Sequence, residues 1–210
     1  MTLPIPVFML PRLYAIVDSS CFLTTETMCT FAKELTAAGV TLLQYRNKAS
    51  DTREILKQAR ELKKAVTEGT KLIMNDRADL CLLAGYDGVH VGQDDLSPEA
   101  VRNLIGPHLW LGVSTHNPAE IAQATKTSAD YVAIGPVFAT TSKTNPGPVV
   151  GIEGVRQAHS LTSKPLVAIG GITRSQCRAV IEAGADSVAV ISDLLSSPQQ
   201  SARDFLRILR

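Results

Sequence analysis

The 210-residue sequence carries almost no net charge, because 21 Lys and Arg stand against 20 Asp and Glu. Such a balance gives no global attraction to nucleic acid or to an anionic membrane, so any cations that matter act locally. Long apolar runs are also missing. No stretch reaches the roughly 18 residues that a bilayer-crossing segment needs. The four cysteines, Cys21, Cys29, Cys81 and Cys177, form no CxxC pair and no zinc-type spacing with histidine, so they read as packed or idle thiols in a reducing compartment. The opening "MTLPIPVFMLPRLYAIV" is apolar but holds three prolines, no charge ahead of the apolar stretch and no clear cleavage site. It makes a poor signal peptide, and a cytoplasmic protein with no nucleic-acid or membrane partner is the expectation. No Ser-His-Asp or Cys-His arrangement stands out. His90 lies within a strand and reads as a core or supporting group, His116 belongs to the capping segment of a helix, and His108 and His159 read as surface residues.

What is present is ordinary globular composition, 45% hydrophobic and 20% charged, in a chain long enough for one substantial core. Apolar, β-branched runs recur at intervals of roughly 20 to 30 residues, each followed by helical spacing, which is the pattern of repeated βα units. The strand candidates are "RLYAIV", "VTLLQYR", "KLIMN", "GVHVG", "LWLGVS", "DYVAIG", "PLVAIG" and "SVAVIS". Most are too uniformly apolar to have a solvent-facing side, so they read as parallel strands. In "TREILKQARELKKAVTEG", Ile55, Leu56, Ala59, Leu62 and Val66 make an apolar face while lysines fill the other. "SPEAVRNLIG", "HNPAEIAQAT" and "TRSQCRAVIEAGA" open with capping signals. An α/β fold of the (β/α)8 TIM-barrel type, one domain over residues 1–210, is the leading architecture, with a doubly wound open sheet as the alternative. Residues 1–11 form a lead-in. Residues 136–150, rich in Thr, Ser, Asn, Pro and Gly, make a βα connection much longer than usual, as active-site lids do.

The chemistry gathers where a barrel puts it, at the carboxyl ends of the strands. "VTLLQYRNK" ends an apolar strand in two cations, and alternation puts Gln44, Arg46 and Lys48 on one side with Leu43 and Tyr45 on the other. Asp76 and Asp95 follow adjacent strands, which lie about 4.8 Å apart, so the two carboxylates are placed to share one cation. Magnesium suits them, since it takes oxygen ligands and is typically held by one or two carboxylates plus substrate phosphates. Read singly, Asp76 is a helix cap and Asp95 a turn residue; read with the nearby cations, they form a metal site. Lys143, alone a solvated loop lysine, joins Arg46 and Lys48 in opposing a diphosphate, each cation contributing up to about 4 kcal/mol before desolvation. Asn75 and Ser114 end neighbouring strands. Gly170-Gly171, with Ile191 and Ser192, suggests a second anion site cupped by backbone N–H groups, or simply a tight βα turn.

In order, "QYRNK", "IMNDR", "GVHVGQDDL", "GVSTHN", "GPVFATTSK", "AIGGI" and "GADSVAVIS" resemble the thiamine-phosphate synthase family over nearly the whole chain from about Arg12. The resemblance implies an Mg2+-dependent transferase on a (β/α)8 barrel. Its substrates are 4-amino-2-methyl-5-hydroxymethylpyrimidine diphosphate and 4-methyl-5-(2-phosphoethyl)thiazole, and its products thiamine monophosphate and diphosphate. It implies that Gln44, Tyr45, Arg46, Asn47, Lys48, Asn75, Ser114 and Lys143 bind the pyrimidine diphosphate, with Asp76 and Asp95 on Mg2+. Thr140, Thr141, Ser142, Gly171, Ile191 and Ser192 then take the thiazole phosphate. The implied catalytic set, Arg46, Lys48, Ser114 and Lys143, serves departure of the diphosphate and needs no protein nucleophile. Competing readings are a thiazole tautomerase-like barrel, which needs only the monophosphate cup, and a non-catalytic sensor of thiamine intermediates. The sequence leaves open whether copies of the chain associate as a homo-oligomer.

Overall fold

A computed structural model describes residues 9–140 and 147–210. Among them eight parallel strands, hydrogen-bonded in sequence order and closing from the last back to the first, form a barrel, as the uniformly apolar runs require. The first half runs β1 (Leu13–Asp18), α1 (Thr25–Ala37), β2 (Leu42–Arg46), α2 (Thr52–Ala65), β3 (Lys71–Asn75), α3 (Ala78–Ala84), β4 (Gly88–Val91) and α4 (Pro98–Ile105). The second half runs β5 (Trp110–Thr115), α5 (Pro118–Ala124), β6 (Tyr131–Ile134), α6 (Gly151–Leu161), β7 (Leu166–Ile169), α7 (Cys177–Glu182), β8 (Ser187–Val190) and α8 (Pro198–Ile208). The open-sheet alternative is thereby excluded. No described helix is long and apolar enough to cross a membrane.

Side-chain alternation along the strands divides the buried residues into two sets. One set fills the barrel: Tyr14, Ile16, Leu42, Ile73, Tyr131, Ala133, Val167 and Ala189, with Leu10 and Trp110 packed against them. The other, which includes Leu13, Leu43, Tyr45, Val89, Val132 and Val188, lies between the strands and the helices. Helix α2 illustrates the second layer. Asp51 caps it by accepting the Glu54 N–H at 3.0 Å, and Ile55, Ala59 and Leu62 are buried while Leu56 and Val66 pack at the edge. Ser97 and Asn117 cap α4 and α5 as their sequences suggest, whereas α7 has no side-chain cap.

The amino-terminal end of the barrel is held by a device used three times. Asp87, Asp130 and Asp186 immediately precede β4, β6 and β8, and each carboxylate accepts an N–H at the start of the preceding strand, from Leu72 (2.9 Å), Leu111 (2.7 Å) and Leu166 (2.8 Å). The same three aspartates donate their own N–H groups to the carbonyls of those leucines, at 2.8, 2.7 and 2.8 Å. Before β2, Thr41 takes the corresponding place. Arg102 reinforces the second staple by donating to Asp130 at 2.7 Å and to the carbonyls of Gly106, Leu109 and Ser128 at 2.8, 2.8 and 3.1 Å. Asp130→Ala is therefore expected to lower stability by about 2–4 kcal/mol, since it orphans the Leu111 N–H and removes the carboxylate paired with Arg102. Asp130→Asn, which keeps an acceptor, should cost about half as much. Urea unfolding with an unchanged m-value checks this, and an Asp130→Ala midpoint equal to the parent's would refute the staple.

Candidate functional site

At the carboxyl end of the barrel a cavity with about 870 Å3 of empty space, open in part to solvent, is lined by Gln44, Arg46, Asn75, Ser114, Thr140, Gly171, Ile191 and Ser192 among others. These eight residues come from strand ends or loops far apart in sequence, and the barrel register brings them together. Thr141, Ser142 and Lys143 lie outside the described residues. Tyr45 and Asn47 do not face the cavity. The Tyr45 hydroxyl donates to Gln58 Oε1 of α2 at 2.7 Å, and Asn47 Nδ2 reaches the same oxygen at 3.0 Å, so both side chains belong to the strand–helix layer. Burial pushes the Tyr45 phenol up to about 12. Any contact from these two residues to a ligand would have to come from main chain.

The cations at the end of β2 each have a carboxylate. Asp18 is the register partner of Arg46 across β1 and β2, and Arg46 Nη1 donates to Asp18 Oδ2 while Ser20 N and Oγ hold Asp18 Oδ1 at 3.0 and 2.7 Å. Lys48 lies beyond the end of β2, so the pleat no longer fixes it; its Nζ meets Asp76 Oδ2 at 2.7 Å. Asp76 is the only described non-glycine residue with a left-handed backbone, φ 62°, a conformation that costs of order 1–2 kcal/mol and recurs at functional sites. It does not cap α3, whose N-cap position is Arg77. Burial raises its pKa most, Lys48 opposes the rise and Asp95 adds to it, so the two carboxylates are close neighbours. Asp95 is held in turn by the Gly92 N–H at 2.8 Å. Two hard oxygen donors from adjacent strand ends beside an anion cavity are a donor set that fits Mg2+. Asn75 Nδ2 is buried with no hydrogen-bond partner among the described residues, a donor in the cavity wall that needs an acceptor.

Across the cavity floor runs a chain of hydrogen bonds that the strand assignments did not reveal. Gln44 Nε2 donates to the Tyr14 hydroxyl at 2.9 Å, Tyr14 meets the Tyr131 hydroxyl at 3.1 Å, His90 Nδ1 meets Tyr131 at 3.1 Å, and His90 Nε2 meets Ser114 Oγ at 2.8 Å. His90 is thus the supporting group its strand position suggested. Its bond to Tyr131 spans β5, because His90 pairs in register with Gly112 and Gly112 with Tyr131. A Cβ on Gly112 would lie 2.1 Å from Tyr131 Cζ and 2.4 Å from His90 Nδ1. Tyr14 and Tyr131 were legible in principle, since they share the parity of Ile16 and Ala133, but nothing local marks a tyrosine as inward and bonded.

On the opposite wall Gly170 and Gly171 take φ 102° and 63°, the left-handed region that favours glycine. A Cβ on Gly171 would meet the Ala139 carbonyl at 2.4 Å, and Phe138 N donates to the Gly170 carbonyl at 2.9 Å. The second glycine is needed first for packing against the base of the β6 loop.

A family profile described as thiamine monophosphate synthase matches residues 13–194. The chain belongs to that family. It is 62% identical over 203 residues to the thiamine-phosphate synthase of Koribacter versatilis strain Ellin345, covering 95% of this chain and 96% of the relative. A thiamine-phosphate synthase of Chloroflexus aurantiacus is 40% identical, over 91% of this chain and 88% of its own. Among solved structures, a thiamine phosphate pyrophosphorylase from Pyrococcus furiosus superposes with a TM-score of 0.82 at 31% identity, over 94% of this chain and 95% of that one. A 3-hexulose-6-phosphate synthase, at 17% identity and TM-score 0.73, shares the fold alone.

Within this thiamine monophosphate synthase family barrel, Gly112 leaves no room for a side chain between Tyr131 and His90. Gly112→Ala is expected to destabilise by about 1–3 kcal/mol through overpacking. Tyr131→Phe should cost a comparable amount, because it breaks the hydrogen-bond chain at its middle and removes two bonds to buried partners. Chemical denaturation of both variants checks this, and a phenylalanine variant as stable as the parent would mean that the Tyr131 bonds are not formed.

Proposed function

We propose that the protein is a thiamine-phosphate synthase, joining 4-amino-2-methyl-5-hydroxymethylpyrimidine diphosphate to 4-methyl-5-(2-phosphoethyl)thiazole with release of diphosphate. One observation carries the reading. The cavity carries the Arg46 guanidinium on one wall and the glycine pair Gly170-Gly171 on the wall opposite, with the Lys48–Asp76 ion pair just beyond its lining at the neighbouring strand ends, which matches one diphosphate and one phosphomonoester brought face to face. Membership in the family and the 62% identical relative support it.

On this reading Arg46 and Lys48 bind the diphosphate, and Asn75 Nδ2 donates to one of its oxygens. Gln44 and Ser114, fixed at the two ends of the tyrosine–histidine chain, orient the pyrimidine. Asp76 and Asp95 hold Mg2+, which when bound neutralises diphosphate charge and lowers the cost of its departure. Thr140, Gly171, Ile191 and Ser192 receive the thiazole phosphate, with Thr141, Ser142 and Lys143 from the same β6 loop completing the two anion sites. Tyr14 and Tyr131 are kept neutral by burial, which raises both phenols, so they act as fixed dipoles and not as acids. The cytoplasm suits four unpaired thiols and a reaction between small soluble substrates.

Diphosphate release from the two substrates, with Mg2+ and with EDTA, tests the assignment; release that needs both substrates and the cation is expected. No release under any condition would leave the sensor reading instead. Asp76→Asn and Asp95→Asn should each lower turnover by about a hundredfold or more, the scale on which a lost charge-stabilising group acts. Asp76→Asn should at the same time unfold no more easily than the parent, because Asn tolerates φ 62° well. Full activity in both variants would remove the metal assignment.

A further inference from the structure

The loops after β7 and β8 are tied together by an ion pair that stands outside the cavity lining. Asp193 directly follows Ser192 in the short 3-10 turn Ser192–Leu194, and Arg174 stands three residues after Gly171. Asp193 Oδ2 accepts the Arg174 backbone N–H at 2.8 Å and its Nε at 3.1 Å, while Oδ1 accepts Nη2 at 3.2 Å. One carboxylate therefore grips both the main chain and the side chain of the opposite loop. Behind it, Arg174 Nη1 faces Asp204 Oδ2 of α8 at 3.6 Å, and Asp204 Oδ1 takes Arg207 Nη2 at 3.0 Å and Gln200 Nε2 at 3.2 Å. The β7 loop is also closed on itself, with Thr173 N and Oγ1 reaching Gln176 Oε1 at 3.3 and 2.8 Å.

A cup built from main chain cannot adjust by rotating side chains, so its fit to an anion depends on the gap between the segments that form it. Charge matters as well. A carboxylate one residue from Ser192 would repel a phosphate if the guanidinium did not neutralise it. We propose that Arg174 and Asp193 are positioning residues for a phosphomonoester: their pair sets the gap between Gly171 and Ser192 and cancels the Asp193 charge, without touching substrate. This rests on assigning that wall to the thiazole phosphate.

The test uses Arg174→Ala, Asp193→Ala and Arg174→Lys in the full chain. In both alanine variants KM for the thiazole phosphate should rise about tenfold or more, while kcat and KM for the pyrimidine diphosphate stay within about twofold, the signature of lost binding to one substrate. With the same thiazole carrying a free hydroxyl in place of the phosphate, parent and variants should share one kcat/KM. Arg174→Lys, which keeps the charge and loses the fork, should recover part of the loss. Calorimetric titration with inorganic phosphate gives a readout independent of turnover, so absence of synthase activity would defeat the functional assignment and leave this inference still decided. A parent that binds no phosphate, equal phosphate affinity in parent and alanine variants, or equal losses with and without the substrate phosphate would overturn it.

Discussion

A cavity that takes two anions, as proposed above, has to hold cations before either anion arrives, and a cation drawn out of water needs a partner or it destabilises the fold. At the mouth of this barrel the partners come from neighbouring strand ends: Asp18 for Arg46 and Asp76 for Lys48. The two pairs differ in kind. The Arg46 and Asp18 side chains are 17% and 4% exposed, and Ser20 fixes the carboxylate from behind, so the guanidinium stands in one place with its remaining donors toward the cavity. Lys48 is 53% exposed and reaches Asp76 from a loop, so it is free to leave that carboxylate when something better is offered. A fixed fork and a movable point charge are complementary ways to meet a diphosphate: the first lowers the ordering cost of binding, the second adapts to the ligand.

The barrel interior mixes apolar filling with one polar chain. Leu42 and Ile73 fill it as an apolar core would, while Tyr14 and His90 border the cavity beside Val167 and are joined through the buried Tyr131 hydroxyl. A half-satisfied polar layer at that depth would cost more than an apolar one, so the chain from Gln44 to Ser114 has to be continuous to be tolerated. Continuity depends on Gly112. With any side chain on β5 at that register, β4 and β6 could not reach each other over it.

The strands were legible because parallel strands buried on both faces read as plain apolar runs, and the barrel followed from eight of them alternating with capped helices. Parity correctly turned Gln44 and Arg46 inward and Leu43 outward, and it turned Tyr45 toward α2, although the family pattern counted Tyr45 and Asn47 with the ligand residues. It does not extend to Lys48, which lies past the end of the pleat and meets Asp76 in an ion pair. Asp18 went unread for a general reason. An aspartate ending an apolar strand looks like a turn residue, and its meaning lies in a register partner 28 residues away. Arg174 and Asp193 were hidden in the same way, each ordinary in its own loop. Asp76 could be weighed only as cap or ligand until its backbone conformation removed the first choice.

The two walls of the cavity are consequently built on different principles, and the β6 loop starts from the glycine wall. The β6 loop begins as an extension alongside β7, with Val137 N on the Ile169 carbonyl at 2.9 Å and Phe138 N on that of Gly170 at the same distance. Its Ala139 carbonyl occupies the space that a side chain on Gly171 would take, and Thr140 then enters the cavity. The return of this connection is anchored nearby, where Val150 N and Gly151 N donate to the carbonyls of Pro136 and Val137 at 2.9 and 3.1 Å. Both stems of the connection that carries Thr140 therefore stand on the same short stretch, and that stretch leans on the glycine pair. A side chain on Gly171 would therefore also displace the start of the β6 loop. A glycine pair that looks like a simple tight turn thus sets the main-chain wall directly and the start of the β6 loop at one remove, which is why a side chain there would move both.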